Sequence, residues 1–116
     1  MKLFCFLMYN SAMKIRKDIM TDEELQLVAK TSDSLAHPLR VELFRFIYRK
    51  NLSRESVCNK DLVAEFPYAQ STISQHMAKL TESELIQVQK KGTANYYYVN
   101  LGMLGRYLDA VKKLNA

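Results

Sequence analysis

Cysteine and glycine are scarce in this sequence, and long apolar runs are absent. Two cysteines among 116 residues are too few for a disulfide scaffold, so a reducing compartment, the cytoplasm, is expected. The three glycines form no glycine-rich phosphate-binding loop. No apolar run approaches the length of about 18 residues that a membrane span needs. These absences leave one cytoplasmic domain, with enough apolar residues (48%) for a modest core.

Catalytic patterns are absent as well. The sequence contains no metal-binding triad, no Ser/His/Asp set and no pair of carboxylates with a plausible common pocket. We therefore expect neither enzymatic activity nor a cofactor. Binding is the class of function that remains.

The positive charge is unevenly distributed along the chain. The formal net charge is +5, of which residues 1–20 contribute +3 and residues 21–116 only +2. A basic protein is compatible with nucleic acid or with an anionic membrane surface. Because the excess is small beyond the first 20 residues, the charge supports DNA binding without establishing it.

The first 20 residues are an N-terminal extension of uncertain role. Residues 3–9 (LFCFLMY) follow Lys2 and have the character of a short signal-peptide core, but a basic cluster rather than a clear cleavage site comes next. Two alternatives to export remain open. Translation starts later, at Met8 or Met13, or the extension packs on the rest of the domain.

Residues 21–69 have the pattern of three helices. Thr21 and Glu24 form a capping box that opens the first helix. His37-Pro38 ends that helix and begins the next, because proline is tolerated in a first helical turn. The expected bounds are about 38–50 for the second helix, 51–56 for a polar linker, 59–66 for a short third helix and 67–69 for a turn. Apolar residues recur at helical spacing in the first helix at Leu25, Val28, Ala29 and Leu35. The second helix is expected to bury Leu39, Leu43, Phe46 and Ile47.

The most informative segment is the run QSTISQHMAKL at 70–80. At about 100° per residue, Ile73, Met77 and Leu80 fall on one side of a helix. The other side carries short, uncharged hydrogen-bonding residues with one alanine, instead of the Lys/Glu mixture of a solvated helix: Gln70, Ser71, Ser74, Gln75 and Ala78. Gln can pair with adenine, and Ser with several bases, in the DNA major groove. The segment predicts a base-reading helix, with a merely solvated face as the alternative.

After Leu85 the apolar period changes from helical to alternating. Two strands are expected, joined across residues 90–93, with alternating positions at Ile86 and Val88, then at Tyr96 and Tyr98 or Tyr97 and Val99. The three tyrosines offer a stacking platform for single-stranded nucleic acid, or they pack the hairpin on the core. Asn100 then caps a last helix with an apolar stripe at Leu101, Leu104, Leu108 and Val111.

Four helices, a β-hairpin and a closing helix define the fold class. It is mainly α with a β-hairpin wing (α+β), a winged helix–turn–helix. One such domain is expected over residues 21–116, and it would carry both DNA binding and dimerisation. The helix at 70–80 is the second helix of the helix–turn–helix, which projects from the body of the domain.

Three segments, in this order, resemble motifs of the arsenic-repressor-type (ArsR/SmtB) regulators. SLAHPLR at 34–40 resembles the family's LADPTR segment, QSTISQHM at 70–77 resembles its QSxVSxHL recognition helix, and GTANYYYV at 92–99 resembles its wing. The resemblance covers about residues 21–114. It implies a homodimeric transcription factor, usually a repressor, that metal binding or thiol chemistry releases from DNA.

The resemblance also implies which residues contact DNA. By position, Ser71, Ser74 and Gln75 match the family's groove-facing residues, and Gln70 would lie near a phosphate at the helix N-terminus. For His76, packing and a bond to backbone or phosphate both remain open. The full candidate set is Gln70, Ser71, Thr72, Ser74, Gln75, His76, Lys79, Lys90, Lys91 and Thr93.

Two departures from the family pattern concern the start of the helix and the wing. Ala69 stands where a Ser or Asp would cap the recognition helix. Thr93 follows Gly92 in the wing, where the family commonly has Arg, so Lys90 and Lys91 are the residues that could reach the DNA backbone or minor groove. With so few basic side chains, non-specific DNA binding should be weak.

A family-type metal site is not expected. The family's arsenic site uses Cys-x-Cys before the first helix of the helix–turn–helix, but this chain has lysine at position 60, two residues after Cys58. The family's other site takes Asp and His from the last helix. Asp109 is present there, yet no histidine follows His76. The effector stays unassigned.

Cys58 has two interpretations. A helix N-terminus and the neighbouring Lys60 would favour its thiolate, which makes it a candidate redox-reactive thiol. The alternative is a small, half-buried apolar residue. Cys5 could pair with it if the extension folds over that region.

The last helix carries more apolar surface than a closing helix needs. Met103, Tyr107 and Leu114 form a second apolar set, which together with the first helix predicts a homodimer seam; a plain monomer core is the alternative. Such a dimer would bind an inverted-repeat operator with its recognition helices in successive major grooves, about one helical turn apart. The rival hypothesis is a winged helix that contacts only proteins. Operator sequence and repression versus activation are not determined by these patterns.

Overall fold

The structure, a computed structural model, describes residues 19–116. The expectations for residues 1–18, including a Cys5–Cys58 pairing and the packing of the extension, lie outside the described residues. The described elements are α1 (Asp22–Ser34), α2 (Pro38–Leu52), β1 (Val57–Cys58), α3 (Asn59–Glu65), α4 (Gln70–Glu82), β2 (Ile86–Lys91), β3 (Ala94–Val99), α5 (Leu101–Val111) and a final 3₁₀ turn (Lys112–Asn115). The predicted fold class, a winged helix–turn–helix, is confirmed.

The sheet has three strands where the sequence predicted two. β1 pairs antiparallel with β3, with Val57 opposite Tyr97, and the strand order is β1-β3-β2. The side chain of Asn59 continues this pairing, because its Oδ1 accepts a hydrogen bond of 3.3 Å from the backbone N–H of Asn95. The prediction missed β1 because two residues are too few to show an alternating period.

The hairpin turns at Gly92 and Thr93, so the two lysines before it belong to β2. Gly92 has φ +63°, a left-handed conformation that costs a residue with a Cβ and that suits the first position of a two-residue hairpin turn. The strand predicted from Ile86 and Val88 is present as β2, where Ile86 is buried and Val88 is 46% exposed. Ile86, the first residue of β2, is its one buried residue, and the other five residues of the strand are exposed.

The core lies between α2, α3, α4 and the sheet. The predicted inner face of α4 is buried, and the hairpin packs through the second of its three tyrosines. The buried apolar residues of this core are Leu39, Leu43, Ile47, Val57, Leu62, Ile73, Met77, Leu80, Leu85, Ile86 and Tyr97. Phe46, which was expected among them, packs only partly buried against the cluster.

The ends of several helices differ from the prediction. α2 extends to Leu52, and Asn51 belongs to this helix rather than to a polar linker. Asn51 accepts a hydrogen bond of 2.9 Å from the backbone of Val99 and donates one of 3.1 Å to the carbonyl of Glu55. A polar side chain at this position therefore attaches the helix to β3, which composition alone could not reveal. α4 likewise extends two residues further than predicted, to Glu82.

α1 and α5 pack against each other at one side of the domain. The capping box is present, with Thr21 Oγ1 accepting from the Glu24 backbone at 3.1 Å and Glu24 Oε1 accepting from the Thr21 backbone at 2.9 Å. Ser32 Oγ lies 2.8 Å from Tyr107 Oη, and Lys113 Nζ lies 2.9 Å from Glu24 Oε2. These contacts fix α1 along α5 and the 3₁₀ turn.

The buried positions of α1 and α5 follow the apolar residues at helical spacing only in part. Leu35 lies at the C-cap of α1 and is half-buried, Ala29 is exposed, and the buried side chains of α1 are Thr31 and Ser34. In α5, Ala110 is the buried residue. Four leucines of α1, α5 and the 3₁₀ turn that follows α5 are about half exposed or more, because no described element covers them: Leu25 (51%), Leu101 (62%), Leu108 (48%) and Leu114 (64%). We call them the α1–α5 leucines. Among the described residues, no helix is both long and apolar enough to cross a membrane.

Candidate nucleic-acid interface

The outer side of α4 carries the predicted base-reading residues together. Gln70, Ser71, Ser74 and Gln75 are all exposed, while Ile73 on the opposite side is 1% exposed. This separation follows from the helical period, since residues three and four apart lie on one face. The result is a ridge of uncharged hydrogen-bonding groups supported from behind by the core.

The first turn of α4 lacks a side-chain cap. Ala69 occupies the N-cap position with extended backbone (φ −65°, ψ 152°) and supplies no hydrogen-bond acceptor. No acidic residue lies in the first turn either. The first N–H groups of a helix have no partner within the helix, and together with the helix dipole they favour an anion such as a phosphate.

The two flanks of α4 meet different parts of the domain. On one flank, Ser74 and Ala78 line a groove whose other wall comes from the wing, with Val88 and Asn95. On the opposite flank, His76 faces the corner between α1 and α2. The reading ridge therefore lies between the wing and the α1–α2 corner, so its orientation depends on both.

His76 is half-buried and bonded within the protein. Its Nδ1 lies 3.0 Å from a terminal guanidinium nitrogen of Arg40, and its ring centroid lies 4.6 Å from that of His37. His37 is the N-cap of α2, where its Nδ1 accepts from the backbone N–H of Leu39 at 3.1 Å. His76 thus contacts two residues of α2, whereas its contact with DNA stays a prediction.

The environment of His76 lowers its pKa below the ordinary value of 6.5. Burial is the largest cause, followed by the electrostatic effect of His37 and then by the positive charge of Arg40. A lowered pKa keeps the ring neutral at pH 7, so its unprotonated nitrogen can accept a hydrogen bond. Because the pKa of His76 is lower in the folded protein, the unfolded chain binds a proton at this residue more readily. The folded state therefore loses stability as the pH falls below 6.5.

The basic residues near the interface are few and exposed. Lys79 lies on α4, and Lys90 and Lys91 lie next to the wing turn with Thr93, where all are accessible. Lys91 Nζ sits 5.2 Å from the ring centroid of Tyr96, a cation–π contact that holds the side chain against the wing. Such side chains can contact phosphates, and these contacts contribute affinity without sequence information.

Cys58 lies at the N-cap of α3, half-buried and without a disulfide among the described residues. Its backbone N–H donates to Asp61 Oδ2 at 2.9 Å. Within residues 19–116, no three His, Cys, Asp or Glu side chains lie close enough together to hold a metal ion. A redox-reactive thiol at Cys58 stays a prediction.

Sequence reasoning missed three polar residues that hold the interface in place. Arg40 lies in the segment at 34–40 that resembles a family motif, but the sequence predicted no role for it, nor for Asn51 or Asn59. All three make contacts with residues 36 to 48 positions away in the chain. No local period carries such contacts. The only signal in the sequence was an arginine shortly after a helix-starting proline.

The comparisons with known proteins agree with this geometry. The model of the bacterial regulatory protein, arsR family, matches residues 50–88, which run from the end of α2 through α4 into β2. The arsenical resistance operon repressor of Staphylococcus xylosus is 30% identical over 95 residues, covering 79% of this chain and 84% of the relative.

Solved structures show the same fold. A crystal structure of a possible transcriptional regulator for arsenical resistance superimposes with a TM-score of 0.58 at 28% identity, covering 69% of this chain and 78% of that one. An ArsR-like transcriptional regulator from Rhodococcus sp. RHA1 gives a TM-score of 0.63 at 18% identity, covering 78% and 80%. The second likeness concerns the fold alone.

Proposed function

Because the chain belongs to the arsR family of bacterial regulatory proteins, we propose that it is a homodimeric, cytoplasmic repressor that binds an inverted-repeat operator. Each protomer would place α4 in a major groove and the wing turn on the adjacent backbone. The observation that carries the proposal is the exposed ridge of Gln70, Ser71, Ser74 and Gln75 on the second helix of a helix–turn–helix.

The residue types of the ridge support base reading over simple solvation. Gln offers a donor and an acceptor that match adenine, and serine hydroxyls both donate and accept. Ala78 lies on the same face and could contact a thymine methyl group. Specificity would rest on these uncharged groups, since the exposed lysines contribute only salt-dependent affinity.

Dimerisation is supported by the α1–α5 leucines. Four exposed leucines on α1, α5 and the adjoining 3₁₀ turn are costly for a monomer in water, and burial against a second copy would remove that cost. A two-fold arrangement would also place two α4 helices on one side of the DNA. An inverted repeat is the operator symmetry that this arrangement requires.

The test is fluorescence anisotropy with labelled DNA from upstream of the protein's own gene and with a shuffled duplex of the same length. The double variant S74A/Q75A should lose the preference for the operator, because each lost base contact costs about 1–3 kcal/mol. The matched control, S53A/Q87A, changes the same residue types at exposed positions outside α4.

Unchanged discrimination in S74A/Q75A would contradict base reading by α4. Absence of any salt-sensitive preference in the wild-type protein would instead favour a winged helix that contacts only proteins. The same titration with zinc, arsenite, peroxide or polysulfide addresses the effector. The relative's name refers to arsenical resistance, so release by arsenite in wild-type protein but not in C58S would assign that role to Cys58.

A further inference from the structure

We propose that Arg40 is a positioning residue for the reading helix: its guanidinium joins the end of α1 to His76 on α4 and fixes the orientation of α4. The DNA readout of this inference rests on the proposed function. The link itself consists of contacts among three helices, and it can be measured without DNA.

The guanidinium of Arg40 spans the gap between α1 and α4. Its Nε donates to the carbonyl of Ser34 at 2.7 Å, and one terminal nitrogen lies 3.4 Å from the carbonyl of Asp33. These carbonyls lie at the C-terminal end of α1, where the helix dipole favours a cation, and the carbonyl of Asp33 also accepts from the backbone N–H of Ala36 at 3.1 Å. The other terminal nitrogen donates to His76 Nδ1 at 3.0 Å.

This bond fixes the protonation state of His76. Arginine has only donors, so Nδ1 must be the acceptor and the proton of the neutral ring must sit on Nε2. A protonated ring would bring an N–H against the guanidinium, and the bond would be lost. The contact therefore exists only with a neutral His76.

No bonded carboxylate neutralises this cluster among the described residues. From the start of α2, Arg40 acts on His76 with its positive charge and His37 also acts on it electrostatically, while the Nδ1 of His37 accepts from the backbone N–H of Leu39. From α1, Asp33 reaches the cluster through its carbonyl, and its side chain is exposed. Lys79 follows on α4 itself. Protonation of His76 would thus add charge to an already positive corner.

The link matters because of what lies at its two ends. α1 packs on α5, which carries the proposed dimer seam, while His76 lies one residue after Gln75 of the reading ridge. The geometry of two half-sites demands a defined angle between seam and ridge. The rigid guanidinium group of Arg40, bonded to both α1 and α4, sets that angle. Non-specific binding through phosphates tolerates a tilted helix, and operator binding does not.

The first test separates the effect of the hydrogen-bond acceptor at residue 76 from the effect of side-chain size. H76L removes the acceptor and leaves the Arg40–α1 bonds in place, whereas H76N offers an oxygen near the position of Nδ1. We expect H76L and R40M to weaken operator binding by about tenfold with little change in binding to shuffled DNA, and H76N to resemble wild type. The control is R45M, an exposed arginine on the same helix. If H76N is as weak as H76L, or R45M as weak as R40M, the proposal is wrong.

The second test uses the sign of the pH dependence between pH 8 and pH 5.5. If His76 positions α4 through Arg40, protonation weakens operator binding of the wild type relative to H76N. If His76 instead contacts a phosphate, protonation strengthens wild-type binding relative to H76N, and the proposal is overturned. The variant H37N keeps an acceptor at the α2 N-cap but removes the second imidazole, so the effect must persist in that background.

The third test needs no DNA and keeps the inference separate from the proposed function. In ¹⁵N-histidine NMR spectra, His76 should show the Nε2–H tautomer, and R40M should raise the pKa of its ring because a positive neighbour is removed. R45M should not. An unchanged His76 pKa in R40M would overturn the proposal even if operator binding is normal. A normal NMR result without any operator preference in the wild type would mean that the proposed function fails, and the positioning role with it.

Discussion

The outer face of α4 and the α1–α5 leucines are both exposed, but they differ in chemistry. α4 presents serine and glutamine side chains whose hydrogen bonds water satisfies in the free protein. The helix pair presents leucines that are 48% to 64% exposed and that water solvates poorly. Each face predicts its own kind of partner: polar groups in fixed positions for the first, and apolar surface for the second.

The comparison shows how a small domain divides two tasks between two helix surfaces. Binding of DNA through α4 needs hydrogen-bonding groups that point in defined directions, and it tolerates water. Its binding free energy therefore depends on where each side chain lies. Binding through the leucines is non-directional and scales with the area removed from water. A substitution on α4 should change which DNA is bound, whereas one on the helix pair should change whether a dimer exists to bind it.

The largest effect on dimerisation and operator binding is expected when one of the α1–α5 leucines is replaced by a charged residue. Leu108→Glu should dissociate the dimer, because dimerisation would then bury an unpaired carboxylate, which costs free energy. Operator affinity should fall about 100-fold or more, since two half-sites are then bound by separate molecules. Sedimentation velocity would report the mass, and anisotropy the affinity.

The matched control for this variant is Leu52→Glu. Leu52 is 63% exposed at the end of α2, outside the helix pair. It should leave both mass and operator affinity unchanged. Equal dissociation by both variants, or a monomeric wild type with full operator affinity, would contradict the assignment of the seam.

A smaller effect is expected at the start of α4. Ala69→Ser and Ala69→Asp should each stabilise the protein by about 1 kcal/mol, because either side chain supplies the missing N-cap acceptor. Only Ala69→Asp should also weaken operator binding, since its carboxylate would lie where a DNA phosphate is expected. Thermal unfolding followed by circular dichroism measures the first effect, and anisotropy the second. Operator affinity that is the same for both variants would place the phosphate elsewhere.

The smallest effect is expected where the helix pair is joined by an ion pair. Lys113→Met removes the partner of Glu24, and both side chains are only about a quarter exposed. The pKa of Glu24 is below its ordinary value of 4.5, mainly because it accepts the Thr21 backbone N–H and then because of Lys113. The wild type should therefore be slightly more stable than the variant at pH 7, and this difference should disappear as the pH falls below 4.5. Urea unfolding at pH 7 and pH 3.5 measures it; a difference that persists at the lower pH would mean that Lys113 acts by packing.

Much of the fold and the outward face of the candidate site follow from local patterns. The capping box at Thr21, the proline start of α2, the inner face of α4 and the turn at Gly92 lie where the sequence places them. Each depends on residues within one or two turns of chain. Local patterns could not predict β1, because its partner strand is far away in sequence.

The contacts of the site residues were the least predictable part. The sequence left packing of His76 open but could not show that Arg40 would contact it. The angle around a helix identifies the flank, and only packing of α1, α2 and α4 supplies the neighbour. Val88 is a second case in which only packing decides the neighbours. An apolar residue is typical of a strand position packed against another element, but no described element packs over Val88.

The sequence by itself determined where helices and strands form and which side of α4 is polar, because periodicity and capping act between near neighbours. The tertiary structure decided which apolar stripes are covered, leaving the α1–α5 leucines exposed. It also decided that His37, Arg40 and His76 share one corner. Burial and long-range hydrogen bonds depend on how elements pack, and packing is a property of the whole chain.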